Sequence, residues 1–172
     1  IRWCTLATTF IDAPLTYTDS GKSIRNWWGD SYRGLSTIRD GIRDSMHIIA
    51  CKTMAYVGAS NCLPYIRDFG YSRITDDDAN MATAIGGVTV GVTNLENCAA
   101  FSAIANKGVY NEPIFYTKIV DREGNVLIDK DAVKETHQVI EESTASLLTD
   151  AMRDVVRSGA GVHCDIYSAP LA

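Results

Sequence analysis

Residues 41–58 read GIRDSMHIIACKTMAYVG. Ser36 or Thr37, just upstream, offers a side-chain oxygen to cap the first turn of a helix. Ile38, Ile42, Ile49, Thr53 and Met54 then follow helical spacing, and Gly58 is placed to end the run. The pattern predicts one long helix, with Ser45 and His47 at the edge of its apolar face. A serine and a histidine so close together invite a test as nucleophile and base. On a continuous helix, residues i and i+2 point about 200° apart, so the two side chains do not face each other. Ser45 and Lys52 stand two turns apart, roughly 10 Å along the axis. As a self-contained catalytic pair the stretch fails, and the plain reading is the polar edge of a helix.

Moving outward, residues 2–9 are expected to form a strand, and residues 10–34 are rich in turn formers. A short helix, NCLPYIRDFG (61–70), has Pro64 in its first turn and Gly70 as its stop. SRITDDDANMATAIGGVTVGV (72–92) reads as a loop, with the acidic run 76–78 solvated. In TNLENCAAFSAIANKG (93–108), Thr93 and Glu96 have capping-box spacing and Gly108 is the expected C-cap. IFYTKIVDREGNVLID (114–129) reads as a β-hairpin about DREGN. EESTASLLTDAMRDVVRSG (141–159) is an amphipathic helix that stops at Gly159. A single hairpin is marginal in water and needs further strands or a helix to pack on. The class is therefore α+β, mainly helices plus a hairpin.

The chain has 172 residues, 46% hydrophobic and 22% charged, with a formal net charge of −5. That is globular composition. An acidic balance without a basic cluster argues against nucleic acid as a partner. No apolar run reaches the 18 residues that a membrane span needs. The five cysteines lack CxxC spacing and are read as reduced thiols, with Cys51 and Cys98 inside apolar helical segments, where a buried free thiol is expected. SGKS at 20–23 lacks the earlier glycine of a phosphate loop, because position 16 is Thr. No HExxH is present, the histidines at 47, 137 and 163 are scattered, and the acidic run lacks EF-hand spacing. No metal site is expected.

The order of the segments resembles the transpeptidase domain of class A penicillin-binding proteins. Asn26, Trp27, Tyr32 and Gly34 approximate that family's N-W/Y-x-x-x-Y-x-G stretch, with one residue inserted at the second Trp. Thr37, Ile38, Arg39 and Ser45 then match its T-L-R-x-A-L-x-x-S-x-N helix. GGVTVGVTNLENCAAFSAIANKG (86–108) and HQVIEESTASLLTDAMRDVVRSGAG (137–161) are similar to its later helices, in the same order.

The resemblance implies a slice of the serine transpeptidase/β-lactamase-like fold, with residues 1–172 as a partial transpeptidase domain. It implies Ser45 as the serine of the second active-site motif, with His47 where the family has Asn, and Asn26 and Trp27 as substrate-binding residues. An amide offers a donor and an acceptor; an imidazole offers one of each on a rigid ring. Neither S-x-x-K nor K-[ST]-G occurs in the chain, so the 172 residues alone are expected to be inactive. The implied parent is a membrane-anchored enzyme on the extracytoplasmic face. It would acylate on serine with a peptide ending in D-Ala-D-Ala, crosslink peptidoglycan stem peptides, and bind β-lactams. The rival expectation is a catalytically degenerate module that binds peptidoglycan or a partner protein.

Overall fold

The structure, a computed structural model, describes residues 3–17, 21–130 and 135–164. The start of the expected strand at residue 2, Ser20 of SGKS and the APLA end lie outside them. Among the described residues, the strands pair two by two into four antiparallel ribbons. In chain order, β1 (Thr9–Asp12) pairs with β4 (Gly34–Thr37), and β2 (Leu15–Thr16) with β3 (Ser23–Ile24). Further on, β5 (Val109–Asn111) pairs with β8 (Thr136–Gln138), and β6 (Lys118–Val120) with β7 (Val126–Asp129). The last pair is the expected hairpin. The expected strand at 2–9 begins only at Thr9. Thr5 and Thr8 close a turn on each other instead, with Thr8 N–H on the Thr5 carbonyl and Thr5 N–H on Thr8 Oγ1.

Five α-helices pack among the ribbons: α1 (Ile38–Arg43), α2 (His47–Val57), α3 (Ala59–Asp68), α4 (Asn94–Ala105) and α5 (Glu142–Ser158). The capping box on α4 forms as the spacing predicts, with Thr93 Oγ1 accepting from Glu96 N–H and Glu96 accepting from Thr93 N–H. Thr37 and Asp40 make the same reciprocal pair on α1. None of the described helices is long and apolar enough to cross a membrane.

The core gathers around α2. Met46, Ile48, Ile49 and Cys51 are all at most 1% exposed. Burial of such side chains contributes about 1.5–3 kcal/mol each. Ile48 and Cys51 pack with Ile24 of β3, against Leu15, Tyr17, Met81 and Ala84. Gly41 lets α1 approach α2 closely, since a Cβ there would lie 2.7 Å from Ile49 Cγ2.

Several expectations are corrected. The helix predicted through residues 41–58 is two helices with a break at Asp44–Met46. Helix α3 starts at Ala59, so Pro64 falls in its second turn. There its missing N–H leaves the Ser60 carbonyl without a helical partner. The loop at 72–92 contains two 3-10 turns, Asp76–Asp78 and Met81–Ile85. In the acidic run only Asp76 and Asp77 are exposed. Asp78 is fully buried because its carboxylate takes four hydrogen bonds, from the N–H and hydroxyl of Thr75 and of Thr89. Cys98 is exposed, since α4 turns Ala99, Ala100 and Ala103 inward and leaves the cysteine outside that stripe.

Candidate functional site: a serine in the break between two helices

Helix α1 ends in a tight C-terminal motif. Met46 N–H bonds back to the Gly41 carbonyl at 2.9 Å, and Ser45 N–H to the Ile42 carbonyl at 3.3 Å. This 6→1, 5→2 pattern requires a left-handed residue between the two helices, usually glycine. Here that residue is Ser45, at φ 54°. The left-handed region is unfavourable for a side chain with a Cβ. Departures of this kind concentrate where a side chain must be aimed. Ser45 itself is exposed.

The break leaves the end of α1 well partnered. The Asp40 carbonyl takes Asp44 N–H, and the Arg43 carbonyl takes Ala160 N–H, just beyond α5, at 2.9 Å. The Asp44 carbonyl takes the indole N–H of Trp27 at 2.9 Å. So the carbonyls that a helix end normally orphans are claimed from three directions. Gly159 is needed for the α5 contact, since a Cβ there would lie 2.1 Å from the Arg43 carbonyl oxygen. Arg39 of α1 also pairs with Asp150 and Asp154 of α5.

Asp44 sits at the negative end of α1, where a carboxylate is disfavoured by the helix dipole. Arg43 and Arg33 both bind that carboxylate. The Arg43 guanidinium, with Arg33 adding to it, holds Asp44 below the usual carboxylate range against the opposing effect of burial. Arg33 also lies over the Trp28 ring, 4.4 Å from its centroid. Trp28 meets Trp27 edge-on at 5.6 Å.

Helix α2 starts without a side-chain cap of its own at Met46. Its first turn is held from outside. Asn26 Oδ1 accepts from Ile48 N–H at 3.3 Å, while Asn26 Nδ2 donates to Asp12 Oδ1 at 2.9 Å. His47 Nδ1 lies 2.9 Å from the Arg25 carbonyl oxygen. A carbonyl only accepts, so this bond assigns the proton of neutral His47 to Nδ1 and leaves Nε2 as the acceptor.

Ser45 and His47 both line a groove of about 740 Å³ whose walls are mainly apolar, including Ile38, Ile42, Ile49, Met54 and Phe101. The break thus places both residues on the wall of one groove. Asn26 and Trp27 do not line this groove. Asn26 is 3% exposed, behind the turn, whereas Trp27 is 61% exposed. Lys52 points away from Ser45, with its Nζ 2.6 Å from the Ile11 carbonyl oxygen on β1. Sequence reasoning missed Asp12, Arg33 and Asp44. An acid next to the serine at a helix C-terminus was a usable signal for Asp44, because it needs basic partners.

The α+β scaffold that carries this turn is that of transpeptidase domains of the penicillin-binding type. The chain belongs to the family described as penicillin binding protein transpeptidase domain, which matches residues 5–168. It is 32% identical over 163 residues to penicillin-binding protein 1A/1B of Bacillus subtilis (strain 168), covering 94% of this chain and 17% of that protein. It is 29% identical over 167 residues to penicillin-binding protein 1A of Clostridium novyi (strain NT), covering 92% and 19%. In fold it matches the imipenem acyl-enzyme complex of penicillin-binding protein A from M. tuberculosis with a TM-score of 0.77. That match is 18% identical and covers 90% of this chain and 40% of the other. The chain therefore spans under a fifth of the length of these two relatives.

Proposed function

We propose that the 172 residues are the second-motif portion of a serine D,D-transpeptidase, with Ser45 as a catalytic relay and His47 beside it. The observation that carries this reading is Ser45 itself: a non-glycine residue held at φ 54° on the rim of an apolar groove. In the proposed reaction, a serine on an S-x-x-K segment outside these residues attacks the carbonyl between two D-Ala residues. An ester forms and the amide bond breaks. The proton of the attacking hydroxyl passes, through the lysine and Ser45, to the departing amine of the terminal D-Ala. The acyl group then moves to an amine of a neighbouring stem peptide: an amide forms, the ester breaks, and the proton that the amine loses returns to the serine oxygen. A β-lactam follows the first step, but its opened ring keeps the leaving group attached.

A hydroxyl suits the relay because it donates and accepts at one atom. His47, with Nδ1–H committed to the Arg25 carbonyl, offers Nε2 as an acceptor for the lysine ammonium. No residue in this scheme calls for a metal or an organic cofactor. The parent is proposed to act on peptidoglycan at the extracytoplasmic face of a membrane that anchors it.

The replacement of the family's Asn by His47 favours a second reading, a degenerate module that binds peptidoglycan or a partner protein without turnover. The intact protein, incubated with a fluorescent penicillin, separates the two. Mass spectrometry of the labelled peptide is expected to find the adduct on a serine outside residues 1–172. An adduct on Ser45 would make it the nucleophile and overturn the relay role. No adduct on folded protein would favour the binding module.

A further inference from the structure

The residues flanking Ser45 are held on either side of it, at the backbone of Asp44 and Ile48 and at the His47 ring, by bonds that do not use its hydroxyl. Three successive residues do this from one strap. The Arg25 carbonyl takes His47 Nδ1–H, Asn26 Oδ1 takes Ile48 N–H, and Trp27 Nε1–H reaches the Asp44 carbonyl. They hold the chain immediately before Ser45 and two to three residues after it. The strap is itself anchored at one buried point. Asp12 Oδ1 accepts from Asn26 Nδ2, and Asp12 Oδ2 accepts from Arg33 N–H, both at 2.9 Å. Asp12 and Asn26 are 1% and 3% exposed.

We propose that the buried Asp12–Asn26 pair is the positioning element that keeps the Ser45 hydroxyl aimed along the groove, and that Asn26 acts through the turn rather than on substrate. The proposal rests on the reading of Ser45 given above. Its physical basis is that an unfavourable backbone conformer persists only when its surroundings over-determine it. Helix α2 has no N-cap side chain of its own. Breaking the Asp12–Asn26 bond unseats the acceptor that residue 26 offers to Ile48 N–H, frees the first turn of α2 to fray, and lets Ser45 relax out of the left-handed region.

An exchange of partners tests this in the intact protein. Asn26→Asp sets two carboxylates against each other. Asp12→Asn combined with Asn26→Asp restores every bond. The new amide at 12 donates to the carboxylate at 26 and accepts from Arg33 N–H, and the carboxylate at 26 still accepts from Ile48 N–H. Two readouts are needed. The first is acylation by a fluorescent penicillin over a concentration series, which separates the rate constant from non-covalent binding. A misplacement of about 1 Å costs on the order of 100-fold in rate. Asn26→Asp is expected to lower the rate constant by about that factor, to leave binding nearly unchanged, and to be rescued by the double exchange. Ala103→Gly, at a buried position of α4 away from the turn, supplies a variant destabilised elsewhere in the fold, with acylation compared at equal distance below each thermal midpoint.

The second readout is deuterium uptake in peptides covering residues 41–50. It is expected to rise in Asn26→Asp and to return to the parent level in the double variant. Unchanged uptake would overturn the positioning role. So would an acylation loss no greater than that of Ala103→Gly, or a double variant that regains its midpoint but not its acylation. Absence of acylation in the parent, or full acylation of Ser45→Ala, would instead remove the functional reading. The uptake data would still decide whether the pair holds the turn.

Discussion

Replacing Ser45 by glycine should make the domain more stable and less active at once. The left-handed conformer at φ 54° costs a side-chain-bearing residue about 1–2 kcal/mol relative to glycine. Glycine gives back about 0.4–1 kcal/mol through the greater freedom of its unfolded chain. The net gain over an alanine at the same site is therefore about 1 kcal/mol. Alanine is the right reference, because it lacks the hydroxyl, as glycine does, and keeps the Cβ. The hydroxyl itself contributes little to folding, since Ser45 is exposed and its neighbours bond the backbone. For a domain of this size, about 1 kcal/mol moves the midpoint by roughly 2–4 °C. The assay is calorimetry on the intact protein, following the transition of this domain, with Ser45→Gly and Ser45→Ala side by side. Both variants should lose β-lactam acylation, so stability and activity part company at one residue. A glycine variant melting at or below the alanine variant would refute the strain argument. Full acylation of either would refute the relay role.

Changing His47 to Asn, the residue of the related motif, should preserve or raise acylation of the intact protein. A large loss would show that the imidazole has a role of its own, most simply through its bond to the Arg25 carbonyl. Acid should destabilise the fold in a defined window. Hydrogen bonds from the Thr75 backbone and then from Thr89 hold Asp78 down to about 2, and the Ser72 hydroxyl and Thr93 backbone hold Glu96 down to about 2, from ordinary values of 3.8 and 4.5. Between these limits the unfolded chain binds more protons, so stability is full above pH about 4.5 and falls as pH drops toward 2. A midpoint constant from pH 5 to pH 2.5 would contradict this, and Asp78→Asn should narrow the drop. Cys98 and Cys164 are exposed and should react with a thiol reagent in the folded protein. Burial pushes the Cys51 thiol up to about 11, so Cys51 should be labelled only after denaturation, as mass spectrometry of the modified peptides would report.

Much of the fold was legible because its signals are local. The Thr93–Glu96 capping box, the 114–129 hairpin and the amphipathic helix ending at Gly159 are each specified by residues within a few positions of one another, and each forms. The break at Ser45 was not legible from periodicity. The apolar spacing of residues 38–54 fits a continuous helix, and serine carries no left-handed signal of the kind glycine does. What decides the break is non-local. Trp27, 17 positions before Asp44, and Asn26, 22 before Ile48, claim backbone groups that a continuous helix would have used internally. Ala160 claims another from far along the chain. Tertiary hydrogen bonds thus override a local preference for helix, and they do so at the residue that the family resemblance singles out as functional. Sequence periodicity is blind there for a physical reason. A site that must hold a side chain in an unfavourable conformer has to draw its support from distant parts of the chain, because the local sequence, left to itself, would choose the relaxed one.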